Sequence, residues 1–510
     1  MDGKGSVAKN LKYILASELV LAGLKFISRR VFVLALGREY LGLNGLFTDI
    51  LSMLSLAELG FGVSVTYSLY RPVAQGDTEL IKSLAGLYRR VYRWVGAAVL
   101  ALGLALTPCL GFFVKEMPRD IPHIPLIYAL TVVNTGVSYF WSYRSTLLFV
   151  YQKKYIDAAI RAAVALFATG AQAAALLLTH SYVLYLGIAI AATLIQNAAI
   201  SAQADRLCPF LREGEVRPLP PEVAEDIRRN VGAMILHRVG AVAVFGTDNL
   251  LISKFVGLAT TGLYSNYMMI RGVLNVAVGA LSNAVMPALG SLAATTGLEE
   301  KRTAFCRLDF CAAWLIGWMS VCLWCLYDPF IDLWLGRGYR LPPATVLLIV
   351  VNFYLAGMRV PVASTKSVMG LFWDERYKSI LEALVNLTVS IALARRWGIA
   401  GILAGTLIST VSMPFWIEPL GLYRHGLEQS PGGYFARYFL RLAVTAAAGG
   451  LTKLLCAPTG EGVGGFAAKA LLCAAAPNLV FLAAYRRAPE LAFVKELLFR
   501  RGGGGGGKAG

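Results

Sequence analysis

Glu18, Lys25 and Arg29 share one helical face, with Arg30 beside them, inside an otherwise apolar stretch from about Lys12 to Gly37. The pattern recurs along the chain. Asn352, Arg359 and Lys366 follow one another every seven residues, while Tyr264, Tyr267, Arg271 and Asn275 form a second stripe and Asn134, Trp141 and Arg144 a third. His237 and Asp248 lie eleven apart on one face, with Arg238 next to them. Guanidinium groups bind the oxygens of phosphate or pyrophosphate bidentately. Tyrosine and tryptophan beside such cations suit stacking on sugar faces, although aromatics also form ordinary interfacial belts.

The segments that carry these residues are hydrophobic enough to cross a membrane. The chain has 510 residues, of which 57% are hydrophobic and 15% charged, and its mean hydropathy is +0.61. Apolar runs long enough for a ~30 Å hydrocarbon core fall near 12–36, 41–70, 94–114, 124–150, 158–179, 183–203, 231–256, 263–290, 308–327, 343–370, 379–394, 399–418, 438–456 and 465–485. The expected fold is an all-α polytopic membrane protein of about fourteen transmembrane helices, twelve being the alternative count. The first run has no separable cleavage region and reads as a retained helix. Ionisable groups at membrane depth are costly, so each of the stripes needs a reason to exist. Local neutralisation is one: Glu18 with Lys25, Asp248 with Lys254 or Arg238, and Arg30 or Lys254 reaching to the interface. It does not cover the set, because the cations outnumber Glu18, Asp49, Glu58, Asp248 and Glu382. An anionic ligand is the expected complement, with Lys25, Arg29, Arg144, Arg238, Arg271, Arg359 and Lys366 lining a cationic cavity and Trp141, Tyr264, Tyr267, Asn275 and Asn352 completing it. The acidic residues able to carry a coupled proton or sodium ion are Asp248, then Glu58 and Glu18.

The formal charge of +18 calls for no nucleic acid. Arginine and lysine crowd into alternate loops, at Arg89 and Arg90, Lys153 and Lys154, Arg206 to Arg229, Lys301 and Arg302, Arg376 and Lys378, and Arg486 and Arg487, whereas the opposite loops hold few. That bias predicts cytosolic termini and basic loops lying against anionic lipid. The four histidines make no metal-binding spacing, and no GxxxxGK[ST] loop is present to bind a nucleotide. Cys322 and Cys325 are spaced CxxC but lack a second pair, so all eight cysteines read as small core residues. No metal or cofactor is expected. The end GGGGGGKAG is low-complexity sequence expected to be disordered.

Shifting the chain by about 220 residues places Asn10 on Asn230, Gly37 on Gly257, Gly42 on Gly262 and Leu43 on Leu263; a slightly larger shift places Tyr155 on Tyr377, Lys154 on Arg376 and Arg144 on Lys366. The chain therefore reads as a duplicated six-helix unit. The expected division is 1–205 and 230–420 for the two bundles, 206–229 for a cytosolic linker, 421–490 for an additional helix pair and 491–510 for a cytosolic tail. Repeats in the same orientation are related by an axis along the membrane normal, an architecture of secondary transporters.

The run Leu36-Gly37-Arg38-Glu39-Tyr40-Leu41-Gly42-Leu43-Asn44-Gly45-Leu46-Phe47, followed by Leu54-Ser55-Leu56-Ala57-Glu58-Leu59-Gly60-Phe61-Gly62, resembles bacterial polysaccharide transporters, the exporters and flippases of the multidrug/oligosaccharidyl-lipid/polysaccharide superfamily. Asp49 stands where that pattern has Asn. The resemblance covers the first twelve or so spans and implies a V-shaped pair of bundles in the bacterial cytoplasmic membrane. Through its cationic cavity a polyprenyl-pyrophosphate-linked oligosaccharide would pass by alternating access, for cell-surface polysaccharide synthesis. Implied partners are membrane lipids and the polymerase and glycosyltransferases of that pathway. Two other readings stay open: a multidrug-extrusion antiporter, whose cavity would be acidic or apolar, and a membrane polymerase or ligase acting on lipid-linked sugars. The outer segments near 115–123 and 328–342 are short for an enzyme of that kind.

Overall fold

The computed structural model describes residues 3–58, 61–118, 120–212, 217–225, 227–228, 231, 247–295, 297–371 and 378–492, with side chains outside 3–16 and 280–295 and a few single positions. Every regular element among them is helical. The α-helices of eight or more residues with bounds inside the described residues are, in chain order, α1 (Gly3–Leu36), α2 (Arg38–Leu54), α3 (Phe61–Gln75), α4 (Thr78–Ala105), α5 (Ile124–Tyr139), α6 (Ser142–Val150), α7 (Lys154–Thr179), α8 (Tyr182–Leu207), α9 (Asp248–Phe255), α10 (Leu258–Thr295), α11 (Leu298–Trp334), α12 (Pro343–Met369), α13 (Lys378–Ser412), α14 (Pro414–Gly421), α15 (Gly432–Cys456) and α16 (Gly462–Ala484). Eight stretches among the described residues are long and apolar enough to cross a membrane, or nine if α4 and the short turn bent 45° from its end form one span. The protein is a multi-pass membrane protein. The expected seventh span falls mostly outside the described residues.

Backbone chemistry sets the breaks. Gly37 and Gly257 both adopt positive φ, 85° and 130°, at the turns leading into α2 and α10, where a residue without Cβ meets no penalty. Asp77 caps α4 by accepting from the Leu80 amide at 3.0 Å, and Ser181 caps α8 through Leu184 at 3.3 Å, each satisfying a donor the first turn leaves open. The continuous stretch α13 is two helices: Gly398 takes φ 55°, ψ −131°, and the chain folds back there. Ser390 Oγ donates to the Ile402 carbonyl at 3.1 Å and Asn386 Nδ2 to Thr406 Oγ1 at 3.1 Å, across the two arms of a hairpin. Gly401 and Gly405 leave no room for a Cβ against Leu393 and Ser390, the small-residue contact by which helices approach in lipid. Both arms correspond to spans expected near 379–394 and 399–418.

The chain divides into two compact units, Met1–Ser265 and Asn266–Gly510. Within the first, α1 packs on α7, α7 on α8, and α5 between α4 and α8. Also within it, the glycines matched by the internal repeat meet each other. A Cβ at Gly42 would overlap the Leu258 carbonyl, and one at Gly262 would overlap that of Arg38. Each of the two turns thus presses its backbone against the other's glycine. Within the second unit α11 is the central helix, contacting α12, α15 and α16.

Candidate functional site

Polar groups within the membrane-spanning helices fall into two kinds, those that the protein pairs internally and those that it does not. Arg359 of α12 is the most heavily paired. Its Nη1 and Nη2 donate to Glu382 at 3.0 and 3.5 Å, and its Nε and Nη2 to Glu418 at 3.1 and 2.7 Å, while Lys378 also bridges to Glu418. The space beside this cluster measures about 10 Å³, room for roughly one water. Arg144 pairs with Asp205 of α8 and donates Nε to Tyr143 at 2.8 Å. Arg441 pairs with Asp309 in the interior of the second unit, and Arg161 with Asp157 at 2.8 Å.

Arg29, Arg271 and Arg437 are of the other kind; Arg437 of α15 donates to the Tyr423 hydroxyl at 3.0 Å and reaches Cys306 Sγ at 3.9 Å, and its Nε has no hydrogen-bond partner. Arg29, half-buried on α1, donates to Ser265 Oγ at 3.3 Å and lies within electrostatic reach of the Tyr182 and Tyr185 hydroxyls. Arg271, half-buried on α10, reaches Met268 Sδ at 3.9 Å, and its Nε has no hydrogen-bond partner. None of the three has a carboxylate partner among the described residues. An unsatisfied buried donor such as Arg271 Nε is costly, and an ionisable group at membrane depth is by default a candidate functional residue.

The other expected residues are placed as follows. Glu18, Lys25 and Asn275 are exposed, and Trp141 is exposed at the break between α5 and α6. In a membrane protein such exposure means lipid or a water-filled cleft. Lys366 is buried. Asn352 is buried and donates to the Leu403 carbonyl at 3.0 Å, joining α12 to the hairpin α13. Tyr264 donates to Asp248 at 3.1 Å; Tyr267 donates to Asp328 at 2.9 Å and accepts from the Leu341 amide at 3.1 Å. Arg238 and His237 lie outside the described residues. The set of anions expected from the sequence is too short, because it omits Asp157, Asp205, Asp309 and Glu418, most of which belong to helices distant in sequence from the cations they neutralise.

Glu58 lies at a cavity in the first unit. The cavity, about 500 Å³ in volume, is walled by Gly62, Thr66, Tyr67 and Tyr70 of α3, Tyr88 of α4, and Ser145, Thr146 and Phe149 of α6, with Lys154 also on its lining. The Tyr92 hydroxyl donates to Glu58, and Thr146 donates to the Tyr88 hydroxyl at 3.2 Å. The Tyr88 and Tyr92 rings meet edge to face, centroids 4.5 Å apart. Gly62 is required beside them: a Cβ there would lie 2.5 Å from the Tyr92 oxygen and 2.8 Å from that of Tyr88. Among the described residues Glu58 has no basic partner. The Leu-Ser-Leu-Ala-Glu run marks a turn in the sequence, but nothing in it reveals the aromatic wall, whose members come from α3, α4 and α6.

No family model matches the chain, and no curated protein sequence matches it. Solved structures do. It is similar to the lipid II flippase MurJ in an inward closed conformation, with TM-score 0.63, 12% identity, and 93% of this chain and 98% of that one covered. It is similar to a point mutant of the Vibrio cholerae MATE transporter VcmN, with TM-score 0.57, 15% identity, and coverage of 83% and 99%. A transporter of the same superfamily from Pyrococcus furiosus, described as having a binding pocket of reverse polarity, matches with TM-score 0.55, 15% identity, and coverage of 84% and 98%. The chain has the fold shared by these multidrug/oligosaccharidyl-lipid/polysaccharide superfamily transporters.

Proposed function

We propose that this chain, having the fold of flippases and multidrug transporters, is an alternating-access flippase. Its substrate is a polyprenyl-pyrophosphate-linked oligosaccharide, moved across the bacterial cytoplasmic membrane for cell-surface polysaccharide synthesis. The observation that supports this reading is the contrast among the intramembrane arginines. Arg144, Arg161, Arg359 and Arg441 have carboxylates, whereas Arg29 and Arg271 have hydroxyl, thioether or no acceptors. A pyrophosphate head supplies the kind of oxygen acceptor that each of these arginines, taken in its own unit, lacks, and its polyprenyl chain remains in the bilayer. On this reading both termini are cytosolic, and the polymerase and glycosyltransferases of the pathway act before and after it without catalysis by this chain.

The test is ligand-induced stabilisation of the purified protein in nanodiscs. Undecaprenyl pyrophosphate is expected to raise the melting temperature more than undecaprenol does, and Arg29→Ala and Arg271→Ala to reduce that difference. Equal stabilisation by the neutral and anionic lipids would contradict the reading.

A second reading has its own observation. Glu58, without a basic partner among the described residues, faces tyrosines in a cavity of about 500 Å³ whose one phenylalanine, Phe149, already carries Lys154 over its ring at 5.1 Å; the carboxylate and the tyrosine faces have the chemistry of an organic-cation site, where they hold a charge that water otherwise would. That is the arrangement a multidrug-type antiporter would use. Saturable binding of a lipophilic cation such as tetraphenylphosphonium, abolished by Glu58→Gln and indifferent to Arg29, would favour it over the flippase.

A further inference from the structure

Beyond the transport reading, we propose that the second unit contains a thiolate metal site built from Cys325 of α11, Cys456 at the end of α15 and Cys473 of α16, occupied by a soft cation, zinc or copper(I). The three Sγ atoms all lie within 4.8 Å of one another, the single such grouping of histidine, cysteine or acidic residues among the described residues, and all three side chains are buried. Tetrahedral zinc–thiolate bonds of ~2.3 Å place neighbouring sulfurs roughly 3.8 Å apart, so the thiols need only close inward slightly. A fourth thiol lies just outside this group. Cys322 precedes Cys325 by one helical turn, and its Sγ lies 3.8 Å from the Cys473 carbonyl oxygen. A CxxC on a helix presents both sulfurs to the same side, here toward α16.

The surroundings suit such an ion. The site is walled by Val321, Leu326 and Leu472, which exclude water and leave the sulfurs as the available ligands. Binding would release the thiol protons to solvent and leave a net negative cluster. Two cations are placed to offset it: Lys453 acts electrostatically on Cys325, and Lys469 on Cys456. Lys453 is held over the Trp324 ring at 4.6 Å, and Lys469 donates to the Gly460 carbonyl at 3.0 Å. An ion there would tie α15 and α16 to the central helix α11, a cross-link between residues 131 positions apart, from Cys325 to Cys456.

The experiment uses the full chain purified in detergent under reducing conditions. After incubation with zinc, or with copper(I), and exhaustive dialysis, elemental analysis is expected to find about one ion per chain. Cys473→Ser and Cys456→Ser should each lower that at least tenfold, while Cys109→Ser, at an exposed position outside the cluster, should keep it. Cobalt in place of zinc should give the thiolate-to-cobalt absorption in the wild type and weaken or lose it in Cys322→Ser, a milder change for use if the buried variants fail to fold. A chelator should lower the melting temperature of the wild type and leave that of Cys473→Ser unchanged. Substoichiometric metal in every condition with all thiols free to alkylation would overturn the proposal. So would an intact mass two hydrogens short with Cys456 or Cys473 protected from alkylation, since that identifies a disulfide.

Discussion

Replacing Arg359 and replacing Arg29 should damage the protein in opposite ways. Arg359 satisfies two buried carboxylates through four hydrogen bonds between 2.7 and 3.5 Å. Arg359→Ala leaves Glu382 without that partner and Glu418 with Lys378 alone, and breaking a buried pair by removing one member costs about 3–5 kcal/mol. Arg29→Ala removes one hydrogen bond of 3.3 Å to Ser265, a loss of about 0.5–1.5 kcal/mol, offset by relief of a cation without a carboxylate. Unfolding by dodecyl sulfate in mixed micelles should therefore separate the two by at least ~1.5 kcal/mol, the gap between those ranges. A further variant isolates the cause. Arg359→Leu combined with Glu382→Gln strands no carboxylate, because Glu418 keeps Lys378, and should recover part of the loss; non-additivity of this kind is expected within one network. The division between paired and ligand-seeking arginines would be refuted if Arg29→Ala were as destabilising as Arg359→Ala, or if the double variant were worse than Arg359→Leu.

Gly62→Ala should shift the Tyr92–Glu58 hydrogen bond and shrink the cavity beside it, lowering stability by about 1–3 kcal/mol and abolishing any effect of Glu58→Gln on ion coupling, read by flipping in vesicles with imposed proton or sodium gradients. In the same vesicles, Asp248→Asn is expected to lose gradient stimulation and Glu58→Gln to lose it less; retention by both would exclude either acid as the coupling site. Gly42→Ala and Gly262→Ala should each open the reciprocal contact between the turns of α2 and α10. A cysteine at Leu258 should then become more reactive to a water-soluble maleimide in both variants, and unchanged reactivity would show the close approach to be dispensable.

The helical character is legible in the sequence because apolar runs, glycine breaks and basic loops are local signals. Turns at Gly37, His180, Gly257 and Gly398 fall where the spans are expected to end. Gly42 and Gly262 align when the chain is shifted on itself, but that alignment does not say that their turns touch. The pairing of charges is not. Arg144 and Asp205, or Arg441 and Asp309, are 61 and 132 residues apart, and helix-face arguments report which residues share one helix, not which helices share a neighbour. The same limit hides the thiol cluster. Cys322 and Cys325 look like an isolated CxxC because their companions arrive from α15 and α16. Tyr264 and Tyr267, whose types suit stacking on sugar faces, are buried donors to Asp248 and Asp328. An amphipathic tyrosine at helical spacing cannot by itself distinguish a ligand contact from an interhelical hydrogen bond.

Flipping in proteoliposomes tests whether Arg29 and Arg271 each serve the passage of a lipid-linked sugar with an anionic head. A fluorescent polyprenyl-pyrophosphate oligosaccharide is reconstituted with wild type, Arg29→Ala, Arg271→Ala and the lysine replacements, and its exposure to an outer-side quencher or lectin is followed with time. Flipping is expected to be lost in both alanine variants at normal insertion, with partial recovery by lysine, whose ammonium keeps the charge but lacks the planar fork. Wild-type rates in both alanine variants would contradict that role.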